Sequence, residues 1–465
     1  MTATYSARIS LSREPGVGPA AKISAAVDSG CPLHRGIRNM LRCDDSSVVE
    51  GIAHYVISQH WSLRLLSTTI EKGRNSPFPG FIALIGWLRS FLSVRSSKRR
   101  GGAVWIARLS NERRAIEPFL SLSHDLNWTE LKFRLLPDAA ALAALFKGRG
   151  ARRIFRIVRR LHRRYEFFKV LRVIEFTGFY ARYTEIFEQG NVKLALMSSH
   201  SNPHGVAFNL AARKSGIPVV LITHGMPIRP VARLTYDLAV IHNEAARQTY
   251  SEEGCRMDRI IIHGRRQNFA AMPAALPQSL NVGIFLCKDV NEKRLRRLTK
   301  ELLIQDRVGR VLIRPHPKNL WTGLQKWIEA LKDSRVIFSS ADSVFNDIQR
   351  VDIVLGGNSS VLVDAVTTGR PAAFVANLDH GPPDLHCFVA AGLLYSFDDE
   401  GQTVDWNPDA MLQFYHRPEW QPRLKVFANI DDDQEEVRER AVAILRELAM
   451  ETRSVALPIA VDPRQ

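Results

Sequence analysis

At 465 residues and 52.5 kDa the chain is too long for one ordinary core; about three domains of roughly 150 residues, or two larger α/β domains, fit that length. Hydrophobic residues at 45% and charged residues at 24% are globular proportions, which exclude wholesale disorder, a collagen-like chain and a coiled coil. The net charge of +17 is local: residues 1–190 hold 31 basic and 15 acidic side chains, residues 191–465 hold 33 and 32, so no all-over basic character explains it.

Residues 1–44 mix Ser, Gly, Pro and Ala with scattered charges and read as a loose tail without the apolar core of a signal peptide. The five cysteines (Cys31, Cys43, Cys255, Cys287, Cys387) are odd in number, widely spaced and without a CxxC pair, so reduced thiols in a cytoplasmic protein are expected. FPGFIALIGWLRSFLSV (78–94) is marginal as a membrane span, being interrupted by Arg89, and is followed at once by Arg95, Lys98, Arg99 and Arg100. It reads as a buried amphipathic helix or an interfacial helix with a basic flank.

From residue 100 strands and helices alternate. AVWIARL (103–109) is a strand, residues 111–122 a helix, LKFRLLP (131–137) a second strand. A basic amphipathic helix follows, with Ile154, Val158 and Leu161 on one face and Arg152, Arg153, Arg156, Arg159, Arg160, Arg163 and Arg164 on the other. Such a face suits solvent, anionic lipid or nucleic acid; nucleic acid is the least favoured, because no nucleic-acid motif accompanies it. Short apolar runs at 193–199, 218–225, 236–243 and 258–264 then alternate with helical stretches at 202–216 and 244–254, the rhythm of a parallel sheet covered on both faces. Residues 266–280 carry two prolines and no periodicity, and read as a linker between an N-terminal domain (45–265) and a C-terminal domain (281–430). The second set has strands at 281–288, 310–317, 335–340, 351–357 and 370–376, with helices between them. Asp431, Asp432 and Asp433 cap a final helix in a C-terminal segment, 431–465.

No P-loop, HExxH, GxSxG or helix-opening GxGxxG pattern occurs, and no metal-ligand spacing. Three other motifs sit at strand ends. Leu355-Gly356-Gly357-Asn358-Ser359-Ser360 runs from a buried strand into a helix that carries Asp364 one turn in. Glycines admit a ligand to the backbone and the serine hydroxyls suit phosphate oxygens, although a simple serine cap is the plain alternative. In Arg314-Pro315-His316-Pro317, prolines on both sides stiffen the backbone around His316, so its imidazole can donate to a departing phosphate while Arg314 neutralises charge. Thr223-His224-Gly225 ends an apolar strand in the first set, where His224 is either a catalytic base or a satisfied loop histidine.

This ordered trio resembles the GT-B glycosyltransferases of bacterial surface polysaccharide synthesis: capsule-polysaccharide and teichoic-acid-type enzymes using cytidine nucleotide donors, with His-Pro and Ser-Ser motifs shared by Kdo- and sialyltransferases. The resemblance covers about residues 190–400 and implies an α/β fold of GT-B type, with two Rossmann-like domains whose parallel sheets face across a cleft. It implies His224 as base, His316 on the donor phosphate, Gly357, Asn358, Ser359 and Ser360 binding that phosphate, and Asp364 orienting the site. The implied donor is a nucleotide sugar, CMP- or CDP-linked, used without metal or other cofactor; the acceptor is a glycan or glycolipid at an anionic inner-membrane surface. A CDP-polyol phosphotransferase, a UDP-GlcNAc 2-epimerase-like enzyme and a basic membrane- or nucleic-acid-binding scaffold are the alternatives.

Overall fold

The computed structural model describes residues 101–132, 167–199, 202–227, 231–264, 269–317, 321–341, 343–381, 383–397, 406–428 and 433–451. The expected tail (1–44), the apolar segment 78–94 and the basic segment with Arg152, Arg153, Arg156, Arg159, Arg160, Arg163 and Arg164 lie outside these residues.

Apolar runs buried on both faces become the strands of two parallel sheets, since only covered sheets tolerate such runs. The first comprises β1 (Gly101–Ile106), β2 (Thr129–Glu130), β3 (Asn191–Met197), β4 (Val219–Ile222), β5 (Thr235–Ile241) and β6 (Arg256–Ile262), in the order β2-β1-β3-β4-β5-β6. The second comprises β7 (Leu280–Phe285), β8 (Val308–Arg314), β9 (Val336–Phe338), β10 (Ile353–Gly356), β11 (Ala372–Val375) and β12 (Tyr395–Phe397), in the order β12-β11-β10-β7-β8-β9. Every pairing within both sheets is parallel. The expected α/β class with two Rossmann-like parallel sheets is observed. The edge strand β2 lies just before the expected 131–137: Val104 and Trp105 pair with Thr129 and Glu130, and Leu131 is buried with its N–H on Trp105 O at 2.9 Å.

Helices α1 (Ser110–Leu122), α2 (Phe167–Gln189), α3 (Pro203–Lys214) and α4 (Glu244–Glu252) belong to the first sheet. Helix α2 buries residues around its circumference, including Ile174, Phe176, Thr177, Phe179 and Tyr183, so it is a central core helix. It meets α3 through aromatic edges, Tyr183 on Phe208 with centroids 5.1 Å apart and Phe187 on Phe208 at 5.5 Å. The second sheet carries α5 (Glu292–Leu303), α6 (Leu324–Ala330), α7 (Val344–Gln349) and α8 (Val361–Thr367), then α9 (Pro408–Tyr415) and α10 (Trp420–Phe427). Asparagine caps several helix starts: Asn202, Asn243 and Asn291 each accept a backbone N–H three residues on.

The last helix, α11 (Gln434–Glu451), returns to the first sheet. Val437, Ala441, Leu445 and Leu448 fall on one face and join Trp105, Leu196, Val220 and Leu238 in a single apolar cluster. Full burial of Leu445 alone contributes about 1.5–3 kcal/mol. Asp433 Oδ1 accepts the Glu435 N–H at 2.9 Å at its start, while Asp431 and Asp432 lie outside the described residues. Two further ties join the halves: Met226 packs against the cores of both sheets, and Asn243 Nδ2 donates to Phe427 O at 2.6 Å.

Candidate functional site

In each sheet the chain first builds one side and then crosses to the other, so the order reverses between β1 and β3 and between β7 and β10. Outside the carboxyl ends of strands at such a reversal, flanking loops part and leave room for a ligand. The Gly-Gly-Asn-Ser-Ser turn leaves β10 at the second reversal; His224 leaves β4, one strand from the first.

Leu355 and Gly356 are buried, and the chain turns at Gly357, Asn358 and Ser359, with the Ser359 N–H on Gly357 O at 2.8 Å. A Cβ on Gly357 would fall well inside contact distance of Asp379 Oδ2 and would displace that carboxylate from the turn. Asp379, just after β11, is the residue the sequence reading missed. Its Oδ2 accepts the Asn358 N–H at 2.7 Å, and its Oδ1 accepts Asn358 Nδ2 and the Gly381 N–H, both at 2.9 Å. Asn358 Oδ1 in turn accepts the Leu385 N–H at 2.7 Å. Asn358 therefore ties the turn to the loop after β11 with the side chain that was expected to face the donor. The one available signal was an acid in the loop that follows a buried strand.

Ser360 occupies the cap position of α8 in helical geometry (φ −65°, ψ −14°), and its side chain makes no capping hydrogen bond. Its neighbour Ser359 Oγ accepts the Val361 N–H at 3.3 Å. The serine cap expected as the plain alternative is thus supplied by half-buried Ser359, while Ser360 stands exposed beside it. Asp364 is buried on α8, 5% exposed.

His316 is half-buried just beyond β8, between Pro315 and Pro317. Arg314, the last residue of β8, has a different first task from the one expected. Its Nη1 pairs with Asp347 Oδ2 and donates to Ala341 O at 3.0 Å and Ser343 O at 3.2 Å; Ser339 Oγ also donates to Asp347. Asp347 has no exposed side-chain surface, and a buried carboxylate needs such a partner. Arg314 therefore buttresses the loop between β9 and α7, and its charge is largely spent on Asp347.

At the first sheet's edge, His224 Nδ1 lies 3.2 Å from Oγ of the fully buried Ser198, which directly follows β3. Gly205 in α3 lets that helix close onto Ser199, whose carbonyl oxygen would overlap any Cβ there. One position along α3, His204 is 2% exposed, edge-on to Phe179 and Tyr183 at 5.2 and 5.6 Å. Burial, with the Arg108 charge second, drives its imidazole down to about 3, so it is neutral at pH 7.

Cys255, Cys287 and Cys387, the described cysteines, are free thiols. Burial raises the Cys287 thiol far above its ordinary range, and the negative charge of the Asp379 carboxylate adds to the rise. No helix among the described residues is long and apolar enough to cross a membrane.

No family model matches the chain, and no curated protein matches it. Solved structures similar to it include the calicheamicin glycosyltransferase CalG4 (11% identity, 77% of this chain and 100% of that chain, TM-score 0.45). Others are a UDP-GlcNAc 2-epimerase from Neisseria meningitidis (13%, 74% and 99%, TM-score 0.40) and the lipopolysaccharide outer core galactosyltransferase WaaB (12%, 76% and 99%, TM-score 0.37). Transferases and epimerases appear alike, so these similarities do not distinguish one reaction from another.

Proposed function

We propose that the protein is a glycosyltransferase that moves a sugar from a nucleotide-activated donor, CMP-linked in the favoured form, to a cell-surface glycan or glycolipid acceptor. The observation that carries this reading is the Gly-Gly-Asn-Ser-Ser turn at the reversal point of the second sheet, with Ser360 exposed and its hydroxyl not used as a helix cap. An exposed hydroxyl on a turn outside parallel strands suits a phosphate oxygen.

Displacement at the sugar carbon needs a base for the acceptor hydroxyl and a group that stabilises the departing phosphate. His224, positioned by Ser198, takes the proton; His316, stiffened by its two prolines, donates to the phosphate with Ser359 and Ser360. With Arg314 engaged by Asp347, the imidazole and hydroxyls carry most of the phosphate charge. No metal enters this scheme, so chelation with EDTA leaves the rate unchanged. A thermal-shift comparison of CMP, CDP, UDP and GDP tests the donor, because a ligand that binds only the folded state raises the melting temperature. Stabilisation by cytidine nucleotides supports the reading, and His316→Ala is expected to abolish transfer with the fold intact. A shift with UDP alone, or normal turnover by that variant, sinks it.

The basic residues between Arg152 and Arg164 extend the proposal to a peripheral site on the anionic inner membrane, where electrostatic attraction brings the enzyme to lipid-linked acceptors. Replacing Arg159, Arg160, Arg163 and Arg164 with Gln releases the protein from anionic vesicles while activity on a soluble acceptor persists; loss of both together counts against it.

A further inference from the structure

We propose that Asp379 is the positioning residue of the donor-phosphate turn, its carboxylate fixing the backbone at Gly357–Ser359 so that the serines meet the phosphate already aligned. This rests on the glycosyltransferase reading above and adds to it a residue that contacts no substrate. The evidence is the number and origin of the donors converging on one side chain. Asn358 supplies its backbone N–H and its Nδ2, and Gly381 its N–H. A carboxylate offers about four lone-pair directions, so most of its accepting capacity is taken up by the protein.

Those donors come from two strand ends. Asn358 follows β10, and Gly381 lies in the loop after β11. A strand at the reversal point and its neighbour are thus gathered onto one group, and the Leu385 N–H on Asn358 Oδ1 closes the ring from the far side of that loop. The lack of a Cβ on Gly357 is what allows Asp379 to approach. Asp379 is 9% exposed, so its negative charge faces inward donors instead of an arriving anion. Asparagine cannot take its place: an NH2 would set donor against donor at Asn358 or Gly381. Glutamate is longer by a methylene and would push the turn outward.

The test uses the full chain and Asp379→Asn, nearly identical in size. Its folded state is checked by circular dichroism. The readouts are amide hydrogen exchange at Asn358 and the kinetic constants with a cytidine nucleotide donor. The expected outcome is faster exchange at Asn358 and a donor KM raised about 10-fold or more, as an orphaned buried donor would produce. The acceptor KM is expected to be unchanged. General weakening of the fold would instead lower kcat alone, by reducing the active fraction.

The swapped pair Asn358→Asp with Asp379→Asn restores an amide–carboxylate contact and keeps an acceptor for Leu385, and is expected to recover part of the loss. Should Asp379→Asn not fold, the swapped pair carries the same measurements. Unchanged exchange and unchanged donor KM in the folded variant overturn the proposal while the donor reading stands. Failure of wild-type protein to respond to any nucleotide sinks the donor reading; the exchange measurement still decides whether Asp379 holds the turn.

Discussion

At the edge of the first sheet, His224 meets the buried hydroxyl of Ser198 at 3.2 Å; at the edge of the second, Asp379 gathers two backbone amides and an amide side chain. The two edges suit different work. A hydroxyl both donates and accepts, so it can follow an imidazole through gain and loss of a proton. A carboxylate surrounded by donors holds a backbone in one place and has no second arrangement to adopt. Beneath the edges the contrast continues, because the first domain buries a neutral histidine, His204, and the second buries an ion pair, Arg314 with Asp347.

The largest effect is expected where that ion pair is broken. Asp347→Ala leaves Arg314 in a site that is 14% exposed without its counter-charge, and is expected to cost about 3–5 kcal/mol in urea unfolding. A cost below about 1 kcal/mol would show that the second domain does not depend on the pair in the way the contrast requires.

Acid separates the domains next. The imidazole of His204 falls from its ordinary 6.5 to about 3, so the unfolded chain takes up a proton there before the folded one does. Its contribution is fully present above pH 6.5 and is lost as pH falls toward 3, about 2 kcal/mol being gone at pH 5. Burial, with Arg438 beside it, also lowers His263 to about 4, and burial lowers His386 in the second domain, so wild-type protein carries these slopes as well. His204→Phe keeps an aromatic ring against Phe179 and Tyr183 and is expected to flatten the loss of stability between pH 7.5 and 5 in urea titrations. An unchanged slope would remove His204 from the comparison.

The smallest effect on stability belongs to Ser198→Ala, about 1 kcal/mol for one hydrogen bond. Its kinetic signature is more telling: kcat falls and the acid limb of the pH–rate profile moves, with the donor KM unchanged. That split sets it apart from Asp379→Asn, which acts on the donor KM. Identical profiles for wild type and Ser198→Ala would end the role given to that hydroxyl.

Much of this architecture was legible locally. Apolar runs of four to seven residues separated by helical stretches announced two parallel sheets, because such runs must be buried on both faces. The strand ends carrying His224, His316 and Gly357–Ser360 followed from the same pattern. Helix α2 was less legible, since its apolar residues surround the helix and follow directly on the arginine-rich segment, whose pattern is that of a surface face. The short strand β12 and helices α9 and α10 passed unseen because they are brief and lack strong periodicity.

What the sequence determined by itself is what neighbouring residues decide among themselves: alternation of strand and helix, asparagine caps, and the placing of glycine, serine and histidine at strand ends. What only the tertiary structure decided is which distant groups those residues meet. Asn358 finds Asp379 across 21 positions, His224 finds Ser198 across 26, and Arg314 finds Asp347 across 33. Helix α11 crosses back to a sheet whose last strand ends at Ile262, far earlier in the chain than the helix start at Gln434. Local propensity acts over a few residues, whereas burying a carboxylate or an apolar face requires whatever partner the packed sheets bring within reach.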